Sequence, residues 1–249
     1  MTRLVDRFST ALVTGASSGI GAATVRLLRQ EGLRVVAVAR RADRLESLAR
    51  ETGAIAMALD VTRTSDVEAR LRDIPVDVLI SNAGIGRGLT GLFNTSPQEI
   101  DDAVNTNVTA ALQLLRAVVP AMVARRRGHV VHVGSVAGIH ALPWALYGST
   151  KGAIHLLSQN LRMELLGTGV RHTEILPGRV NTEFFERAFA DPSQVPQTPP
   201  GFKALDPEDV AEVILHALRA PQHVNLSTVE VLPTDQAMGG LAIKVPAHL

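Results

Sequence analysis

The chain has 249 residues, 46% of them hydrophobic, which predicts one large domain, residues 1–249, with a substantial core. Its formal net charge is +1, and its 25 basic and 24 acidic residues are dispersed along the sequence, which argues against nucleic acid as a main ligand. The lack of cysteine excludes disulfides, thiolate catalysis and zinc–thiolate sites.

Short apolar runs alternate along the chain with longer segments of helical period. The runs predict buried strands at residues 11–13, 34–39, 54–59, 76–81, 129–133, 171–176 and 228–232. The longer segments predict crossover helices at residues 19–30, 42–51, 65–73, 96–126, 146–166 and 207–218. This alternation predicts an α/β fold, a Rossmann-like doubly wound parallel sheet of about seven strands with helices on both faces.

The sequence carries no signal for secretion, a membrane span or a metal site. The first seven residues include charges where a signal peptide has its apolar core, and no stretch of about 18 uncharged apolar residues occurs. The closest histidine pair, His129 and His132, is predicted to point to opposite faces of a strand. We therefore expect a cytoplasmic protein with no metal and no membrane partner.

The first predicted strand leads through a glycine-rich turn directly into a helix. The turn reads Thr14, Gly15, Ala16, Ser17, Ser18, Gly19, Ile20, Gly21. Glycines allow backbone N–H groups to approach a ligand closely, and a helix N-terminus favours phosphate, so the turn predicts a site for a dinucleotide pyrophosphate. Ala22 and Ala23 stand where a triphosphatase loop requires Lys and then Ser or Thr, which makes that chemistry a poor fit.

A different interpretation of the same turn stays open. Residues 15–19 also satisfy the G-x-S-x-G pattern of a hydrolase nucleophile elbow, with Ser17 as the nucleophile. That elbow normally follows a later strand, and no downstream acid and histidine pair stands out. A serine hydrolase is therefore kept only as a remote alternative.

The end of the second strand indicates which dinucleotide is bound. An NAD site usually has an acidic residue there for the ribose 2′-OH, but this chain has Ala39 followed by Arg40 and Arg41. Because a guanidinium pairs well with the 2′-phosphate of NADP, Arg40 is the predicted NADP determinant, and NAD(H) is the less favoured cofactor. A plain surface arginine is the alternative, since Arg41 and Arg44 show how common arginine is here.

The single tyrosine of the chain, Tyr147, lies four residues before Lys151 in a predicted helix. That spacing puts both side chains on one face, where the ammonium can stabilise an ionised phenol. Lowering the pKa of tyrosine from about 10 toward neutrality takes about 4 kcal/mol, so a second positive charge is expected to help. The pair predicts a phenol that serves as a proton donor.

Five motifs in order resemble the short-chain dehydrogenase/reductase family over about residues 10–235. They are the glycine turn, Asn82-Ala83-Gly84 after the fourth strand, Ser135 after the fifth, Tyr147-x-x-x-Lys151, and Pro177-Gly178 after the sixth. The resemblance implies an NADP(H)-dependent oxidoreductase that moves a hydride between nicotinamide and a ketone, aldehyde or secondary alcohol. A family member that binds NADP without turnover, as a sensor or scaffold, is the alternative, and the intact Ser, Tyr and Lys set argues against it.

The resemblance also implies roles for individual side chains. Tyr147 is expected to be the general acid or base, and Lys151 to lower its pKa and hold the nicotinamide ribose. Ser135 is expected to hold the substrate oxygen, and Asn107 to support a water that links Lys151 to solvent, unless this asparagine only packs against the strand ends. Ser135 and Tyr147 are twelve positions apart where the family more often has thirteen, which predicts a differently shaped substrate pocket.

Two further groups are implied as cofactor contacts. The adenosine is expected to contact Asp60, Val61, Asn82, Ala83 and Gly84. The nicotinamide carboxamide is expected to be clamped by Pro177, Gly178, Val180 and Thr182.

Substrate specificity is expected to reside in three loops, residues 85–94, 137–144 and 183–205. In the second loop, His140 and Trp144 can either touch the substrate or pack elsewhere. The third loop carries phenylalanines that predict either an apolar lining or core packing, namely Phe184, Phe185, Phe189 and Phe202. Because the family commonly forms tetramers, a homotetramer or homodimer is expected, with the apolar tail, residues 233–249, at the contact.

Overall fold

The computed structural model describes residues 3–189, 191–238 and 242–245. Within them one parallel sheet is formed by β1 (Thr10–Thr14), β2 (Arg34–Ala39), β3 (Ile55–Ala58), β4 (Val78–Ser81), β5 (Gly128–Val133), β6 (Val170–Pro177) and β7 (Thr228–Val231). The strand order across the sheet is β3-β2-β1-β4-β5-β6-β7. The predicted seven-stranded Rossmann-like sheet is therefore confirmed.

Helices cover both faces of this sheet. The described residues form α1 (Gly19–Gln30), α2 (Ala42–Thr52), α3 (Thr64–Leu71), α4 (Pro97–Val104), α5 (Ala110–Ala124), α6 (Ala145–Glu164), α7 (Phe184–Ala188) and α8 (Pro207–Arg219). One apolar cluster joins α1, α2 and α8 to the sheet, and a second joins α3, α5 and α6 to it. Side chains alternate between the faces, so Ala11 and Val13 belong to the first cluster and Leu12 to the second. This double burial explains why the central strands read as continuous apolar runs.

The long helix predicted at residues 96–126 is interrupted by one π-helical turn. It begins with a capping box in which Ser96 accepts from the Glu99 N–H, continues through α4, and widens at Asn105–Thr109 before α5. By length and composition the 28 residues Pro97–Ala124 would suffice to cross a membrane, but α5 packs in the second cluster. A π-turn exposes backbone that a regular helix hides, and such turns recur at functional sites.

The third variable loop contains a helix that the sequence analysis did not predict. Residues 183–205 were expected to form a variable substrate loop, and α7 forms at their start. Its two phenylalanines pack with Trp144 and Tyr147 in a small third cluster. Tertiary contacts thus stabilise a helix too short to persist alone.

Candidate active site

A cavity of about 530 Å³ opens beyond the carboxyl ends of the central strands. The strand order reverses between β1 and β4, and ligands of doubly wound folds bind at that crevice. Most of its lining comes from the segments that follow β1 to β6, and Gln236 after β7 adds to it. Every predicted site residue lines it except Gly21 and Asn107, which are buried.

The glycine turn forms the wall of the cavity next to β1. Gly15 and Gly19 have φ angles of 65° and 52°, values that favour glycine. A side chain on Gly21 would collide with the Gly15 carbonyl and come within 2.7 Å of Asn82 Nδ2. Ser18 at the N-cap of α1 makes no capping hydrogen bond, so the first N–H groups of the helix are available to an anion. This cradle fits a pyrophosphate.

Hydrogen bonds tie the glycine turn to the segment after β4. Thr14 Oγ1 accepts from the backbone N–H groups of Asn82 and Ala83, both at 3.1 Å. Asn82 Nδ2 donates in return to the Thr14 carbonyl at 2.9 Å. Asn82 and Ala83 thereby join two walls of the cavity. Thr14 was not singled out from the sequence, although it is the first residue of the motif.

Two of the arginines that follow β2 form ion pairs with a carboxylate that is distant in sequence. Arg41 donates to the hydroxyls of Ser18 at 2.7 Å and Ser17 at 3.1 Å, and its third nitrogen lies 3.2 Å from Glu183. Glu183 also pairs with Arg44, and these hydrogen bonds lower its pKa to about 2. Arg40, the residue favoured from the sequence, is exposed at the cavity rim. No motif in the sequence indicated Glu183, which is 142 positions from Arg41.

The catalytic candidates meet at the other end of the cavity. Tyr147 lies buried on α6 and hydrogen-bonds Ser135, which follows β5, so the shorter loop between them does not separate the pair. Lys151 Nζ donates to the Val133 carbonyl at 3.2 Å and lies 5.9 Å from the centre of the Tyr147 ring. The geometry joins a phenol, a hydroxyl and an ammonium.

Burial controls the acidity of these groups. It raises the pKa of Tyr147 to about 12, against the opposing effect of the Ser135 hydrogen bond. It lowers the pKa of Lys151 to about 8, an effect that the carboxylate of Glu174 partly offsets. Lys151 was expected to lower the pKa of Tyr147, but in this structure desolvation dominates and the pKa is raised.

Asn107 lies on the π-turn, directly behind the cavity. Its Oδ1 accepts from the Ile85 N–H at 2.8 Å, and its Nδ2 donates to the Ile85 carbonyl at 2.9 Å and to Thr150 Oγ1 at 3.0 Å. Thr150 in turn donates to the Tyr147 carbonyl at 2.8 Å. The amide thus links the loop after β4 to the helix turn that carries the phenol and the ammonium.

An aromatic wall faces the catalytic candidates. The ring of Phe184 lies 5.3 Å from that of Tyr147, and Phe185 contacts both Phe184 and Trp144. Trp144 lines the cavity, whereas His140 turns away and pairs with Glu230 at 3.0 Å. Phe189 is buried in the same cluster and Phe202 lies outside the lining. Two of the four phenylalanines therefore form the lining and one supports it.

The family model described as short chain dehydrogenase matches residues 9–193 of this chain. The chain belongs to the short-chain dehydrogenase family. The family expected from the sequence motifs is thereby confirmed. The match does not support the remote serine hydrolase alternative, and Ser17 accepts a hydrogen bond from Arg41.

Relatives of this short-chain dehydrogenase match along nearly their full length. The NADP-dependent 3-hydroxy acid dehydrogenase YdfG of Escherichia coli is 37% identical, with 93% of this chain and 98% of that protein covered. The uncharacterized short-chain type dehydrogenase/reductase y4eK of Sinorhizobium fredii is 36% identical, with 95% and 96% covered. Among solved structures, the closed form of serine dehydrogenase complexed with NADP+ superposes with a TM-score of 0.88 at 35% identity, covering 95% of this chain and all of that one.

Proposed function

We propose that the protein is an NADP(H)-dependent oxidoreductase that interconverts an alcohol and a ketone or aldehyde. The observation that carries this proposal is one continuous cavity, lined by the glycine turn and by Ser135, Tyr147 and Lys151. A phenol and a hydroxyl that lie within hydrogen-bonding distance of each other can both form a hydrogen bond with the same substrate oxygen. Because the named relatives act on 3-hydroxy acids or serine, small hydroxy acids are the first substrates to test.

The cofactor is NADP(H). The glycine turn and the start of α1 would hold its pyrophosphate, and Arg40 and Arg41 its 2′-phosphate. The adenosine would lie against Asp60 and Val61, and the carboxamide against Val180 and Thr182. A Cβ on Gly19 would lie 3.0 Å from Thr182. The glycine turn and the residues proposed to bind the carboxamide are therefore close enough to contact the same ligand. When bound, the cofactor supplies or accepts the hydride.

Tyr147 moves the proton in this proposal. Its high pKa keeps the phenol protonated at neutral pH, as an acid that protonates a carbonyl oxygen must be. Ser135 holds the same oxygen, and Lys151, with a pKa of about 8, remains mostly cationic at pH 7 and stabilises the phenolate that forms. In the oxidative direction the phenol must ionise, so that direction needs further positive charge in the site.

Asn107 is proposed to position the site. Both ends of its amide are engaged by Ile85 and Thr150, so it holds the loop and the helix at a fixed distance. In the proposed relay, a water near Lys151 would return the proton to the tyrosine, with Asn107 fixing the backbone around it. A positioning residue of this kind affects kcat more than substrate binding.

Assembly and location are also proposals. Large apolar side chains lie exposed on α4, α5 and α6, including Val104, Leu112, Leu156 and Met163. Such faces suit a homotetramer or homodimer built on the long helices. Part of the proposed tail contact, residues 239–241 and 246–249, lies outside the described residues. The cytoplasm stays the predicted compartment.

The test is a fluorescence titration with NADPH and NADH, followed by turnover assays on hydroxy acids, alcohols, ketones and aldehydes. We expect tighter binding of NADPH and turnover of at least one class. In the Tyr147→Phe variant turnover should fall by at least ~100-fold while the NADPH dissociation constant changes less than about twofold. NADPH binding without any turnover would favour a sensor, and retained activity in the variant would refute the role of Tyr147.

A further inference from the structure

Arg179 is a cation in the cavity wall that the proposed mechanism does not use. It follows Gly178 at the end of β6, and its guanidinium stacks on the ring of Phe185, 4.1 Å from the ring centre. One terminal nitrogen donates to the Pro196 carbonyl at 2.8 Å. The side chain is only partly exposed, and this desolvation lowers its pKa. Packing therefore holds the guanidinium in place.

This cation has no carboxylate partner among residues 3–189, 191–238 and 242–245. Of the residues that the structure describes, two acids line the cavity. Asp60 lies after β3 and bonds Thr62, and Glu183 is already paired with three arginines. A guanidinium has five N–H donors in a planar fork, and in the described residues only the one to Pro196 is used by the side chain. A partly desolvated charge without a counter-ion favours binding of an anion.

The position of Arg179 relates it to the substrate and not to the cofactor phosphates. Its stacking partner Phe185 contacts Phe184 at 5.2 Å, and Phe184 contacts the Tyr147 ring. The guanidinium and the phenol thus lie on one aromatic wall, two rings apart. Arg41, by contrast, contacts the phosphate-binding turn directly through the hydroxyls of Ser17 and Ser18.

We propose that Arg179 binds an anionic group of the substrate, a carboxylate, while the carbon bearing the oxygen faces Tyr147. The inference rests on the proposed function and narrows its substrate class to hydroxy acids and oxo acids. Arg179 takes no part in bond making: in oxidation the hydride of the carbinol carbon would pass to the oxidised cofactor, and the hydroxyl proton to the ionised phenolate of Tyr147. The planar fork of arginine suits two-point contact with a carboxylate.

The experiment compares an acid with its neutral ester in matched variants. Arg179→Gln removes the charge but keeps a donor for Pro196, and Arg179→Lys keeps the charge. Arg187→Gln is the control, because Arg187 also lines the cavity but is paired with Glu183 at 2.9 Å. The substrates are 3-hydroxybutanoate and methyl 3-hydroxybutanoate, which share the carbinol carbon and differ in charge.

We expect Arg179→Gln to lower kcat/KM for the acid by about 10- to 100-fold, mainly by raising KM. The kcat/KM for the ester should change by less than about twofold. Arg179→Lys should restore much of the loss, and Arg187→Gln should leave the acid-to-ester ratio unchanged. Parallel losses on both substrates would assign Arg179 a structural role and overturn the inference. Unchanged acid kinetics, or turnover of the ester without the acid, would also overturn it.

A binding measurement separates this inference from the proposed function. Butanoate and butanamide are titrated against the wild-type protein with NADPH bound, and the cofactor fluorescence is followed. We expect butanoate to bind at least ~10-fold more tightly, and the difference to disappear in Arg179→Gln. Equal binding of the two compounds would overturn the anion site even if turnover is seen. Failure to bind NADPH would instead overturn the proposed function.

Discussion

Replacement of Asn107 by alanine should weaken both the fold and the catalysis. The side chain is 4% exposed and makes three hydrogen bonds, two of them to the backbone of Ile85. Alanine leaves the Ile85 N–H and carbonyl without these partners, and each such group costs about 1–3 kcal/mol if water does not replace them. We therefore expect the free energy of unfolding to fall by about 2–5 kcal/mol, out of a total of about 5–15 kcal/mol.

The same substitution should lower kcat more than it raises KM. The Thr150 hydroxyl no longer accepts a hydrogen bond from residue 107 and keeps only the one that it donates to the Tyr147 carbonyl. The loop at Ile85 is released from the turn that carries Lys151, so the reacting groups are less well aligned. Loss of alignment of this kind typically costs ~10- to 100-fold in rate.

The assay is urea unfolding followed by circular dichroism, together with steady-state kinetics at saturating NADPH. Asn105→Ala is the control, because Asn105 lies on the same π-turn but is exposed. It should change the free energy of unfolding by less than about 0.5 kcal/mol. If Asn107→Ala is destabilised by less than about 1 kcal/mol, or if its kcat equals that of the control, the linking role of the amide is refuted.

Four further substitutions test the charges of the site. Arg40→Asp and Arg41→Ala should each weaken NADPH binding by about 10- to 100-fold with little change for NADH; an unchanged preference in both would show that the 2′-phosphate is held elsewhere. Glu183→Gln removes a carboxylate that competes for Arg41, so NADPH should bind several-fold more tightly by titration, and weaker binding would contradict this competition. Lys151→Met should be more stable than the wild type at pH 7 by about 3 kcal/mol, because burial lowers the lysine pKa from 10.5 to about 8. Burial of the charged lysine destabilises the fold fully below pH 8, and this destabilisation is lost as pH rises to 10.5, because the unfolded chain binds the proton more tightly than the folded one. The difference in free energy of unfolding between Lys151→Met and the wild type should therefore shrink from pH 8 to 10.5, as measured by urea unfolding.

The sequence was sufficient for the features that depend on local physics. Apolar runs bounded by turn residues predicted all seven strands. The pattern is clearest in β1, β2 and β4, because central strands covered on both faces are largely apolar. The glycine turn was predicted from steric arguments alone, and Gly15 and Gly19 adopt the positive φ angles that favour glycine. The i, i+4 spacing of Tyr147 and Lys151 likewise placed both on one helix at the site.

Tertiary structure decided the features that depend on distance in space. The pairing of Glu183 with Arg41 joins residues far apart in sequence, and each of these residue types is common on protein surfaces, so no local pattern predicts the contact. The same holds for Arg179: that it has no carboxylate partner among the described residues depends on the whole surroundings of its side chain and not on the local sequence. Acidity is also a tertiary property: the i, i+4 spacing suggested a lowered pKa for Tyr147, but burial raises it to about 12 because desolvation depends on everything packed around the phenol.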